Sequence, residues 1–406
     1  MKLLALLISI LALPISAHAA NCPVGDPNVA ECEQQSLHDI GAEPSPEVNP
    51  QDQVMVAYRP AHPAASPKLV VILHGHPGPA TTAFSEFQAV AASLGYYSIA
   101  LDADFNGNAT ASPTDTCAAN KNPNVSCSDS PTAICGCYAG CYGSLDALID
   151  GAFTDVGLPD PVVFNPPTGV FRYLDVKTRL KAYLAWLGGQ NSGWNQFMSG
   201  GNIVWSKLVG AGLSRGSSLI GNLAKNNGMD RVLLFSGPVE RTGGTSVADE
   251  PGAGTTPTMY SWGNAHNFSA CTMSAGSPTW ITDNHFGGNT GTAWATTNVY
   301  SFDSTNDANW IRVESNGNDG SKLNLSNLGM TKRHDTGQTD KFLDVGTATG
   351  VPSAFHGYHA LTSSGVCTGS MSDGGHVETL SDSASACGNS DSEAFRHAVW
   401  TYMLTN

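Results

Sequence analysis

The sequence predicts a three-layer α/β sandwich built on a mostly parallel sheet, and three observations carry that prediction. Short runs that are apolar throughout recur along the chain, as strands buried on both faces of a parallel sheet require. Segments with helical apolar spacing alternate with them, which argues for strands joined by helical crossovers. Of the 406 residues, 41% are hydrophobic and only 13% are charged, a balance that excludes a disordered, collagen-like or coiled-coil chain.

Taken in order, the chain opens with Lys2, a mostly apolar run from Leu3 to Ile15, and the small-x-small triplet Ala17-His18-Ala19. Such a run is too short to span a bilayer, so residues 1–19 read as a cleaved secretory signal and the protein as secreted or periplasmic. Residues 20–50 are rich in Pro, Asp, Glu and Gln without a long apolar period, and predict an irregular arm. Residues 51–406 read as one domain. Its strands are predicted at Val54–Tyr58, Leu69–Leu73, Tyr96–Leu101, Leu208–Gly212, Arg231–Phe235, Val299–Phe302 and Tyr358–Thr362. Helices are predicted at Phe84–Leu94, with Thr81 and Thr82 as cap candidates, at Val176–Leu187 after Asp175, at Ser217–Ala224 and at Ser392–Leu404. Two stretches loaded with Gly, Pro, Ser, Thr and Asn, about 104–170 and 238–297, break the alternation. Loops of that length are rare in a compact domain, so both are expected to be ordered insertions.

Charge and cysteine usage bound the partners. A formal net charge of −15 repels phosphate backbones and anionic lipid, which excludes general nucleic-acid binding and electrostatic membrane anchoring. All ten cysteines lie beyond the signal, and five of them, Cys117, Cys127, Cys135, Cys137 and Cys141, crowd into one insertion. In an oxidising compartment this pattern reads as up to five disulfides, with Cys22 to Cys32 and Cys367 to Cys387 as plausible local pairs. The Cys135–Cys141 cluster lacks the two C-x2-C pairs of a zinc ribbon, His74 and His76 have no third ligand nearby, and Asn316–Gly320 lacks the acidic end residue of an EF-hand loop, so no metal and no cofactor are expected.

The strongest chemical signal is Gly212-Leu213-Ser214-Arg215-Gly216, which directly follows an apolar strand and directly precedes a helix. A G-x-S-x-G turn in that setting is a nucleophile elbow: it is so tight that both flanking positions must be small, and it pushes the Ser Oγ out at the carboxyl edge of the sheet. The backbone N–H of Arg215 then supplies one oxyanion donor. A second should come from the turn after an earlier strand. His74-Gly75-His76-Pro77-Gly78 follows Leu69–Leu73, and His76 is chosen there because Pro77 has no N–H.

With these motifs, residues 50 to 406 resemble the α/β-hydrolase superfamily of serine hydrolases. The resemblance extends to bacterial secreted members with an R-L-x-x-x-L-x-x-L helix, here Arg179–Leu187, then Trp194, then the step Trp205-Ser206-Lys207 into the elbow strand. The cysteine-rich segment departs from that pattern. The family implies the chain order Ser, acid, His. Just past the strand at Val299–Phe302, Asp303 and Asp307 offer the acid, and Asp307 is favoured because a side chain reaching to a His sits several residues into the loop. Of the twelve histidines, only His376 lies between the last strand and the final helix, in a turn bracketed by Cys367 and Cys387, and it is taken as the base. The implied function is a Ser-His-Asp hydrolase of small or polymeric carboxylic esters. A polyester-degrading esterase or serine peptidase on the same scaffold, and a non-catalytic binding protein with a hydrolase fold, remain the alternatives. Trp262, Trp280, Trp294 and Trp310, in or just after the second insertion, either line a substrate wall or fill the insertion's own core.

Overall fold

The computed structural model describes residues 26–36, 39–41, 54–74, 84–101, 163–164, 171–172, 176–238, 242–247, 272–274, 299–304, 312–314, 317–319, 325, 343–344, 358–363, 379–380 and 390–406. Nine strands form the main sheet: β1 (Val29–Gln35), β2 (Met55–Pro60), β3 (Leu69–Leu73), β4 (Tyr97–Leu101), β5 (Leu208–Leu213), β6 (Arg231–Phe235), β7 (Val299–Ser304), β8 (Leu343–Asp344) and β9 (Ala360–Ser363). Their order across the sheet is β1-β2-β4-β3-β5-β6-β7-β9-β8. From β4 to β8 every neighbouring pair is parallel, while β2 runs antiparallel to both β1 and β4.

Both faces of this sheet are covered. On one side β3 sends Leu69, Val71 and Leu73 against α2 (Val176–Gln190) and α3 (Arg215–Asn226), with Leu180, Tyr183, Leu184, Leu219, Ile220 and Leu223 filling the layer. On the other side Val70 and Ile72 meet α1 (Ser85–Ser93) and α4 (Ser390–Thr405) through Phe87, Val90, Phe395, Val399, Trp400 and Met403. Since successive strand residues point to opposite faces, a strand clothed on both has to be apolar at every position, and all five residues of β3 are fully buried. The predicted three-layer α/β sandwich is therefore the observed one. Phe87 joins the α1/α4 layer to the sheet, meeting Phe235 edge-on at 5.6 Å and Trp400 at 5.4 Å.

Two expectations need correction, and one edge strand was not anticipated. Residues 20–50 are not irregular throughout: Val29–Gln35 form the edge strand β1, with a bulge between Val29 and Glu31. Its ties are polar, since Glu31 pairs with Arg59 and accepts from Asn191, and the Tyr183 hydroxyl donates to the Glu33 carbonyl at 3.0 Å. A half-exposed edge strand needs no apolar period, and a charged one resists pairing with other chains. The two-residue β8 at the other edge also carries no sequence signal. The cap of α1 is Phe84, without a side-chain hydrogen bond, and the candidates Thr81 and Thr82 lie outside the described residues.

Residues 1–19 and most of both predicted insertions lie outside the described residues too. Among the described residues Cys32 is the sole cysteine and it is disulfide-bonded; the proposed pairings themselves fall outside. No helix among the described residues is long and apolar enough to cross a membrane, and no cluster of three or more His, Cys, Asp or Glu there could hold a metal.

Candidate active site

Parallel strands end on the same side of a sheet, and here the carboxyl ends of β5, β6, β7 and β9 stand side by side in that order. The register aligns Leu213 with Phe235, Phe235 with Phe302, and Phe302 with Leu361. The next residue along each strand is Ser214, Ser236, Asp303 and Thr362 respectively, so four polar side chains follow an apolar row. At about 4.8 Å between strands, the Ser214 and Asp303 backbones are roughly 10 Å apart, a gap wide enough for an intervening imidazole.

Ser214 occupies the turn between β5 and α3 with φ +55° and ψ −118°. A non-glycine residue with positive φ is held there at a cost of about 1–3 kcal/mol, so the surrounding structure has to impose it. Two close approaches do so. A Cβ at Gly212 would strike the backbone of Gly216 and the Ser217 nitrogen, and a Cβ at Gly216 would strike the carbonyl oxygens of Leu73 and His74 at the end of β3. Both glycines of the motif are thus fixed by backbone packed against them, and α3 begins pressed against β3. The Ser214 N–H donates to the Phe235 carbonyl at 2.8 Å, while the Ser214 carbonyl accepts from the Ser217 N–H at 3.0 Å and the Ser217 hydroxyl at 2.6 Å. Its own side chain does not cap α3.

A strained serine between two close-packed glycines, at the carboxyl end of the central strand of a mostly parallel sheet, has the backbone geometry of the nucleophile elbow found at the top of an α/β-hydrolase sheet. The chain has the α/β-hydrolase fold. No protein-family model matches it, and no curated protein does. Solved structures similar to it include a protein assigned as a dienelactone hydrolase from Klebsiella pneumoniae subsp. pneumoniae, 10% identical, with 74% of this chain and 78% of that one covered and a TM-score of 0.27. Also similar are the acetyl xylan esterase from Aspergillus awamori, 13% identical, covering 68% and 73% with a TM-score of 0.27, and the glucuronoyl esterase from Solibacter usitatus, 13% identical, covering 74% and 71% with a TM-score of 0.30. Likenesses this distant say nothing about substrate; the α/β-hydrolase fold of this chain rests on its own strand order and elbow.

The other predicted residues divide between those the structure describes and those it does not. Arg215 opens α3, so its backbone N–H belongs to the positive end of a twelve-residue helix, where developing negative charge is favoured. His74 directly follows β3 and is buried, whereas His76 lies outside the described residues. Asp303 is fully buried within β7, in register with Thr362 of β9, while Asp307 and His376 lie outside. Sequence reasoning passed over Ser236 and Thr379, two fully buried residues whose hydroxyls share a 2.8 Å hydrogen bond beside the elbow. A single Ser–Thr contact between positions 143 residues apart leaves no motif to find.

Proposed function

We propose that this α/β-hydrolase-fold chain is a secreted serine hydrolase of carboxylic esters, working through an acyl-enzyme. The observation that supports the reading is the strained, buried Ser214 at the mouth of β5, held between two glycines that cannot take a side chain. A backbone strained at a hydroxyl-bearing residue is the kind of feature that persists for function. Asp307 is proposed over Asp303 as the acid because Asp303 is still inside the β7/β9 ladder, whereas Asp307 comes after β7 in the sequence.

In this mechanism neutral His376 accepts the Ser214 hydroxyl proton as Oγ attacks the ester carbonyl carbon. The resulting oxyanion is held by the backbone N–H groups of Arg215 and His76. Collapse of the tetrahedral intermediate breaks the C–O bond, and the departing alkoxide takes the proton back from His376. Water then loses a proton to His376 and attacks the acyl carbon, which releases the carboxylic acid and returns Ser214 to its hydroxyl form. Asp307 holds the imidazole in the correct tautomer and stabilises its charged form. The signal at residues 1–19 and the ten cysteines support export.

The test is turnover of a short-chain chromogenic ester by the wild type and by Ser214→Ala, with fluorophosphonate labelling followed by peptide mapping. Turnover by the wild type, loss in the variant and a label on Ser214 are expected. A wild type that neither turns over ester nor takes the label sinks the enzyme reading and leaves a binding protein on this scaffold.

A further inference from the structure

Among the described residues only two non-glycine positions have positive φ, and they lie at the same level on adjacent strands: Ser214 after β5 and Ser236, φ +46°, after β6. The proposed mechanism gives Ser214 its purpose and leaves Ser236 without one. Ser236 is fully buried, and so is its hydroxyl partner, Thr379. The Thr379 carbonyl accepts a 2.9 Å hydrogen bond from the Trp400 indole, and the following residue, Leu380, is buried in the layer between the sheet and α4. Residues 379 and 380 are thereby clamped by a side-chain bond to Ser236, a main-chain bond to α4 and apolar burial.

The same corner grips the elbow. The Phe235 carbonyl accepts from the Ser214 N–H at 2.8 Å, and a Cβ at Gly237 would run into the Ser217 hydroxyl and the Ser214 carbonyl. Residues 235–237 thus touch the Ser214 turn on one flank and Thr379 on the other. His376 stands three residues before Thr379, so chain connectivity alone keeps the two Cα atoms within about 11 Å. We infer that the Ser236–Thr379 hydrogen bond is a positioning latch that sets the segment bearing His376 against the Ser214 elbow. Both residues act through His376 and touch no substrate. The inference rests on the proposed serine-hydrolase reading and deepens it.

The latch predicts how its loss reads out. A base displaced by about 1 Å can lower the rate about 10²-fold, since the near-attack geometry is lost while the acyl and alcohol subsites stay in place. In the full-length protein Ser236→Ala and Thr379→Val are expected to lower kcat on a short-chain chromogenic ester by about 10-fold to 100-fold with KM within about 2-fold. The fluorophosphonate labelling rate of Ser214 should fall in parallel, and Thr379→Ser, which keeps the hydroxyl, should recover both to within about 3-fold of wild type. Folded variants that keep wild-type kcat and labelling overturn the latch while leaving the serine-hydrolase reading intact. A loss that only tracks the unfolded fraction in a melting curve, failure of both variants to fold, or failure of Thr379→Ser to recover activity also overturns it, because the pair is then a folding element. A wild type that takes no label at Ser214 defeats the underlying reading instead.

Discussion

Replacing Gly216 by Ala tests the elbow geometry directly. Gly216 has no positive φ, so any effect of a methyl group there is steric rather than conformational. The new Cβ would lie 2.6 Å from the His74 carbonyl oxygen and closer still to that of Leu73, whereas ordinary contact begins at 3.4 Å. Both obstacles are backbone at the end of a fully buried strand, with no side chain to rotate away. The first turn of α3 must therefore withdraw from β3 by about 0.8 Å or more, carrying the Arg215 N–H and the Ser214 turn with it. Overpacking of this kind costs about 1–3 kcal/mol. At about 2–4 °C per kcal/mol for a domain of this order of size, the melting temperature should fall by between about 2 and 12 °C. In the proposed mechanism the same shift displaces Ser214 and the Arg215 N–H from their partners, so kcat should fall by on the order of 10²-fold.

The assay is differential scanning fluorimetry beside active-site titration with a fluorophosphonate, with Gly189→Ala as the companion variant. Gly189 lies on the exposed side of α2, and a Cβ there would meet nothing within 4 Å. Alanine at that place should stabilise by about 0.4–1 kcal/mol, by restricting the unfolded chain and improving helix propensity, with no change in labelling. If Gly216→Ala matched Gly189→Ala in melting temperature and labelling, the close approach of α3 to β3 would be wrong and the strain at Ser214 would have lost its cause.

Further outcomes follow from the site and from the α1/α4 layer. Asp307→Asn should lower kcat by about 10⁴-fold, while Asp303→Asn should mainly lower the melting temperature; the reverse pattern, read by steady-state kinetics and thermal melts, moves the triad acid into β7. Because His376, as the proposed base, must be neutral to accept a proton, kcat/KM should fall about tenfold per pH unit below about pH 6.5, and a profile flat to pH 5 removes His376 as the base. Glu86 is held below its ordinary value of 4.5 by neighbouring His397 and by Arg396, against the opposing effect of partial burial. The contacts are 3.9 Å to His397 and 3.0 Å to the 2%-exposed Arg396, so the guanidinium makes the closer hold. Glu86→Gln should cost about 1–2 kcal/mol near pH 7, less than a wholly buried pair because Glu86 keeps part of its surface in water. A carboxyl with a lowered folded pKa stabilises above its unfolded value, so the gap between wild type and Glu86→Gln should be full at pH 7, start to shrink as pH falls past 4.5, and close below the folded value. A gap in melting temperature that stays constant down to pH 3 refutes that linkage.

What could be read in the sequence and what could not follow from how far apart the responsible residues are. Strands β3, β5 and β6 were legible because a position with a neighbour on each face must be apolar, and five or six such positions in a row need no knowledge of the partner. The elbow was legible for the opposite reason: its strain is resolved by glycines two positions either side of Ser214, all inside one five-residue window. Strand β1 escaped because its stability comes from Arg59, Tyr183 and Asn191, distant residues that meet a polar edge with no period of its own. Ser236 escaped more completely, since neither it nor Thr379 is unusual in its local sequence and only the fold brings them within 2.8 Å. A catalytic motif can thus be found by inspection while the contacts that aim its partners cannot: the motif must satisfy local backbone geometry, whereas the aiming contacts have only to satisfy each other. That difference is why the proposed nucleophile is written in five consecutive letters, and the proposed alignment of its base rests on one hydrogen bond between two otherwise ordinary residues.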